Sequence, residues 1–233
     1  MKFVWEHNGA DTLLYSTEHI GAYTRGGSLE AAIRKIPEEI KAYSLWAGTP
    51  VPEDFGIVIC QEQASSLQIR DADSDVLFDT EKAPLSREEY ETLKTLVMKS
   101  ALDFHTLYMS ISNKDLSCLP PRKTFYGNVP RTAREMYDHT KNVNAYYFGE
   151  IGIFADNDGA IHECRERGFA CLEQINGFLD TPVMDGSYGE CWSVRKVMRR
   201  FLWHDRIHAK AMYRMAAKTF GIDHCRNPFH FQL

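Results

Sequence analysis

The sequence lacks several features that would settle its class quickly. No stretch approaches the ~18–20 uninterrupted apolar residues of a membrane-spanning helix. The opening residues, MKFVWEHNGA, hold no apolar run of the signal-peptide type. A cytoplasmic location is therefore the expectation. The six cysteines, at positions 60, 118, 164, 171, 191 and 225, include no CxxC pair. In a reducing compartment they are expected to be free thiols, mostly small core residues. Cationic excess is missing too. The formal net charge is −5, whereas a nucleic-acid reader needs a basic face. No helix-turn-helix or zinc-finger pattern appears, so DNA binding finds no support. Lysine and arginine cluster once, at Arg195–Arg200 (RKVMRR), which reads as the solvated flank of a helix. What remains is an ordinary globular composition, 44% hydrophobic and 25% charged, in 233 residues. That is enough for one large domain or two ordinary ones.

The most informative stretch is Trp192–Lys218. Val197, Phe201, His204, His208, Ala211 and Met215 follow alternating steps of four and three, the pattern of a bundle seam. His204 and His208 thus fall where apolar residues belong. Four apart on a helix, they share a face, and both imidazoles can reach one ion. A buried polar pair needs either hydrogen bonds or a metal.

The first 80 residues read differently. Lys2–Glu6, Thr12–Ser16 and Ile20–Thr24 are short β-prone pieces, with Asn8-Gly9 as a tight turn. Ser28 can cap a helix running to Trp46, which Pro37 should kink or split and Gly48 should end. Phe55–Gln61 reads as a strand and Leu67–Ile69 as another. Asp71-Ala72-Asp73-Ser74-Asp75 lacks the glycine and distal glutamate of a calcium loop and reads as a solvated linker. A domain boundary is expected between it and Pro84. His7 and His19 read as turn or surface residues.

The remainder is helical. Ser86 and Glu89 form a capping box that starts a helix reaching Ser112. Its stripe is Tyr90, Leu93, Val97, Ala101, Phe104, Tyr108 and Ile111, with His105 on the flank. Pro120-Pro121 forbids helix, and Lys123–Val129 should be a loop with Tyr126-Gly127. A second capping box, Thr132 and Glu135, opens a helix with Thr132, Met136, His139, Val143 and Tyr146 inward. Asp158 should cap a third helix through Leu179, with Ile161, Cys164, Gly168, Cys171, Ile175 and Phe178 inside and His162 outside. Four amphipathic helices with such loops argue for a four-helix bundle. If the second and fourth are neighbours, His139 faces His204 and His208. Three neutral imidazoles suit a divalent ion such as Zn or Ni and leave positions open. The alternative is three core histidines bonded to carbonyls and to Tyr146, Tyr147 or Tyr213. The tail, His224–His230, is expected to be ordered because Phe229 and Phe231 want burial.

Two family resemblances follow. The β-β-β-α-β order of residues 2–63, with Thr24-Arg25-Gly26-Gly27-Ser28-Leu29-Glu30-Ala31-Ala32 at the strand-to-helix corner, resembles the HicB-like antitoxin domain. Residues 84–218 resemble the DinB-like bundle, also seen in mycothiol- or bacillithiol-dependent enzymes. The matching residues are Pro130-Arg131-Thr132-Ala133-Arg134-Glu135-Met136-Tyr137-Asp138-His139, then Tyr146-Tyr147, then Trp203-His204-Asp205-Arg206-Ile207-His208. That family's ligands are one histidine on the second helix and an HxxxH pair on the last, which fall here on His139, His204 and His208. The family's last helix often continues as an HExxHHRGQ-like sequence. Here it reads His204-Asp205-Arg206-Ile207-His208-Ala209-Lys210-Ala211, so the substrate side differs.

Together these imply an α+β chain. A small HicB-like domain (residues 1–80) would precede an antiparallel DinB-like four-helix bundle with a C-terminal tail (84–233). The implied function is a metal-dependent enzyme acting on a small molecule with a low-molecular-weight thiol, as transferase, isomerase or hydrolase. Tyr146 and Tyr147 would line the substrate cavity. Asp205, Asp138 and Glu135 are the carboxylates to consider as general base, though each fits a capping or supporting role better. A homodimer is implied, with no nucleic acid and no membrane. The alternative is a non-enzymatic metal- or ligand-binding protein whose antitoxin-like domain binds a partner, with His105 or a cysteine closing the site.

Overall fold

The structure, a computed structural model, describes residues 1–124 and 127–233. It begins with three antiparallel strands, β1 (Lys2–Asn8), β2 (Asp11–Ser16) and β3 (Tyr23–Gly26). Gly9 turns the chain at φ 58°, a conformation glycine adopts without steric cost, and Asn8 pairs with Asp11 across the turn. β3 starts later than its apolar pattern suggests. The Ser16 hydroxyl accepts from the Glu18 and His19 amides, holding residues 17–21 in a turn.

The helix expected from Ser28 to Trp46 is split in two. Ser28 caps α1 (Leu29–Ile33), and α2 (Ile36–Ala47) restarts with Pro37 in its first turn, where the missing N–H costs nothing. Gly48, at φ 70°, ends α2. β4 (Val58–Ala64) then pairs parallel to β1, giving the sheet order β3-β2-β1-β4. Leu67–Ile69 is not a strand; a single 3-10 turn follows at Ile69–Asp71, with Ile69 buried. The acidic run after it is not a solvated linker. Ser74 is buried, and the Ser74 and Asp75 carbonyls accept from Arg200 and Lys196.

Four longer helices follow. α3 (Arg87–Ser110) and α4 (Ala133–Gly149) both begin at their expected capping boxes. α5 (Ile161–Glu173) is shorter than expected. Ala160 rather than Asp158 occupies the cap position, and Gly177, at φ 74°, breaks the chain before a 3-10 turn at Phe178–Asp180. α6 (Val194–Phe220) is capped by Ser193. The expected loop at 123–129 holds a minimal ribbon, β5 (Lys123–Thr124) with β6 (Gly127–Asn128); Tyr126 lies outside the described residues. A second ribbon, β7 (Met184–Asp185) with β8 (Cys191–Trp192), leads into α6. α3 and α4 each pack on both α5 and α6.

Three helix faces differ from their sequence stripes. On α4 the buried set is Met136, Tyr137, Thr140, Asn144, Tyr147 and Phe148, so His139 lies off the core seam. On α5, Cys171 is exposed, as is Ile175 just beyond the helix, while Phe169 and Leu172 are buried. On α6 the RKVMRR segment is buried: Lys196, Arg199 and Arg200 are each covered. The reason is position. α6 runs between the other helices and the sheet, so one face meets α3 and α4 and the opposite face meets strands. Trp203 packs with Val4, Leu13, Tyr15, Tyr23 and Phe78 beneath the sheet. The main core joins Phe3, Leu14 and Trp46 from the first part to Phe104, Phe148, Phe201 and Met212 from the second. The composition change near residue 80 is thus a change of secondary structure within continuous packing. Phe229 and Phe231 fold the tail back, with Phe229 stacked on Trp46. Among the described residues, no helix is long and apolar enough to cross a membrane.

Candidate metal centre

His204 and His208 project from α6 one turn apart, and His139 meets them from α4, the neighbouring helix. Ring centroids are 4.4 Å apart for His204–His208, 4.7 Å for His139–His208 and 5.1 Å for His139–His204. One nitrogen from each ring lies within 4.8 Å of the other two. The depth is graded: His204 is buried, His208 half-buried and His139 at the exposed rim.

The electrostatics keep the rings neutral. Burial lowers the His139 pKa. Burial also pushes His204 well below the ordinary range, and the positive charge of protonated His208 or His139 would push the same way. His208 is pushed down to about 3 by burial, then by His139. Neutral imidazole is the form that binds metal. The buried Nδ1 of His204 has no hydrogen-bond partner among the described residues. An orphaned nitrogen beside two more neutral rings fits a divalent ion better than it fits core histidines satisfied by carbonyls. The donor set, all imidazole, suits Zn or Ni. No further His, Cys, Asp or Glu joins the group among the described residues.

The histidines open into a cleft of about 500 Å³. Trp203, Ile207 and Ala211 of α6 form one wall; Tyr23, Leu119 and Met136 contribute others. Behind the histidines the supports are rigid. Asp205 accepts two bonds from Arg165, at 2.5 and 3.2 Å, and both side chains are fully buried. Arg200 lies over the rings of Tyr147 and Trp203. A larger cleft of about 610 Å³, bordered by Thr17, Phe78, Glu88 and Leu93, lies apart from the histidines and gathers no comparable donor set.

Other expected site residues fall elsewhere. Tyr147 is buried behind His204, its ring 6.0 Å away, and packs on Trp192 and Phe201. Tyr146 packs on Tyr147 and Trp192. Neither lines the cleft. Glu135 is occupied at the α4 cap, accepting from the Arg131 and Thr132 amides. Asp138 is exposed, and Asp205 is committed to Arg165. His105 sits 2.8 Å from the Tyr137 hydroxyl, beside His162, away from the cleft. Sequence reasoning missed the cleft arginines Arg25, Arg131 and Arg214. Arg214 was reachable, because Ala211 and Arg214 extend the face of His204 and His208 by one more turn. Asp71 and Asp73 were not, because only long-range folding brings their loop here.

No family model, curated protein or solved structure matches this chain.

Proposed function

We propose that the chain is a metal-dependent enzyme of the DinB-like type, with His139, His204 and His208 holding one Zn or Ni ion. One observation carries the reading: three imidazoles from two helices converge, with their nitrogens within 4.8 Å of one another. The packing of α3 and α4 against α5 and α6 supports a bundle around that centre, and three strands, a helical segment split in two and a fourth strand support a HicB-like first part. When bound, the ion supplies Lewis acidity and lowers the pKa of a coordinated thiol or water. The chain's own residues do the rest. His204 and His208 are presented by a helix fixed through Asp205–Arg165. Trp203 and Ile207 keep one side of the cleft apolar. The three-ligand set leaves room for an exogenous group, which favours an enzyme over a closed structural site. The family resemblance carries thiol-dependent transfer or isomerisation of a small molecule, with hydrolysis as the variant, in a homodimer.

Elemental analysis of untagged protein tests this directly. Near-stoichiometric Zn or Ni is expected in the wild type and is lost in both His139→Ala and His204→Ala. A wild type that holds no metal after incubation with either ion would sink the proposal.

A further inference from the structure

We propose that the cleft over the three histidines takes a small anionic molecule, one carrying a carboxylate or a phosphate. The proposal deepens the metal-centre reading, but its charge argument uses none of the three histidines. Although the whole chain is acidic, with a net charge of −5, this cleft is lined by an excess of cations. Two of them are already matched: Arg122 pairs with Asp71, and Lys210 with Glu39 at 3.1 Å. Arg25 from β3, Arg131 before α4 and Arg214 from α6 have guanidinium groups with no ion pair or hydrogen bond among the described residues. Three elements thus bring three unmatched guanidiniums to one cavity.

A second observation points the same way. Trp203 is buried, lines the cleft, and its Nε1 donor has no acceptor among the described residues. The buried Nε of Arg131 has none either. Indole and guanidinium nitrogens can only donate. Buried donors left unpaired cost free energy, so an oxygen acceptor brought within reach of either would be favoured. Carboxylate and phosphate supply acceptor oxygens together with the charge the arginines call for. The apolar surfaces of Trp203, Ile207 and Leu119 are left for the body of the molecule. The cleft volume of about 500 Å³ holds a metabolite-sized ligand rather than a polymer. The field of Arg25, Lys210 and Arg214 is also felt by Lys35, whose pKa is lowered first by burial and then by these cations.

The test is calorimetric titration of metal-stripped full-length protein with inorganic phosphate and with glutarate, at ionic strength balanced by chloride. Saturable binding is expected for at least one probe. Arg131→Gln and Arg214→Gln should each weaken it roughly tenfold, the loss of about one charged hydrogen bond. Arg131→Lys should recover part of the loss. Arg87→Gln, on the far exposed side of α3, should leave binding unchanged. Arg214 is exposed, so its variant folds even if that of Arg131 does not. Neither probe binding above chloride, or binding that ignores the arginine variants, would overturn the inference. Metal content measured on the same preparations separates the two readings. Protein that loads metal but binds no anion refutes this inference alone. Protein that binds anions through the arginines without ever loading metal upholds it while the metal reading fails.

Discussion

At the residue scale, Lys196 shows what burial does to a charge that composition alone would put on the surface. Its ammonium is pushed down to about 8 by burial, with Glu190 opposing and Arg199 adding. The unfolded chain keeps the ordinary value of 10.5. Between these values the unfolded state binds more protons, so Lys196 makes stability rise with pH. Urea unfolding of wild type and Lys196→Met at pH 7.5 and 9.5 isolates this contribution, because tyrosine titration cancels in the difference. The wild type should gain on the variant by on the order of 2 kcal/mol between the two pH values. A constant difference would show that the ammonium is ordinary. Gly21 is the second residue with a sharp expectation. It sits at φ 95°, and a Cβ there would come 2.5 Å from the Cβ of Leu202. Gly21→Ala should cost about 2–4 kcal/mol by strain and overpacking, read as a lowered urea midpoint. Of the candidate site, the shared face of His204 and His208 was legible from their spacing. The approach of His139 was not: the apolar stripe puts it on a core seam, whereas the seam of α4 runs through Thr140 and Asn144, which carry no hydrophobic signal, and His139 reaches the cluster from the rim.

At the scale of elements, three helix starts were legible, the start of α5 after Ala160 was not, and the surroundings of the helices were not. Ser28, Ser86 and Thr132 each cap a helix at the position their side chains dictate, because capping is a local bond. The basic cluster of α6 misled, because burial of a cation depends on a partner far away in sequence. Arg199 finds Glu81, Arg206 finds Glu39, and Arg165 of α5 finds Asp205. These pairs explain how one helix can be covered on both faces and still carry charge. They also make a clear prediction for Arg165–Asp205, where neither side chain is exposed. Asp205→Ala leaves a guanidinium buried without its anion and should cost about 3–5 kcal/mol. Removing both charges, as Arg165→Met with Asp205→Leu, should cost far less than the sum of the single variants. Thermal denaturation of the three variants decides it. Additive losses would mean that the pair acts through packing and not through charge.

At the scale of the whole molecule, the two-part reading of the sequence meets a core that ignores the division. The sheet buries Trp203, and the loop before α3 supplies the carbonyls for Arg200 and Lys196 and, through Val76, for Arg199. Without residues 1–80, α6 would face water with an indole, several arginines and a lysine whose partners had gone. Losing those contacts costs hydrophobic burial and strands hydrogen-bonding groups together, far more than the marginal stability of a typical domain allows. A fragment of residues 84–233 should therefore show no cooperative unfolding transition and should bind no metal. The full chain should unfold in one transition, with far-UV and near-UV signals coincident. The sheet is thus packed into the same core as the helices; it covers the second face of the helix that carries His204 and His208. A fragment that unfolds cooperatively near the temperature of the whole chain would show instead that the helical part stands alone. The sheet contacts would then be an interface and not part of the core.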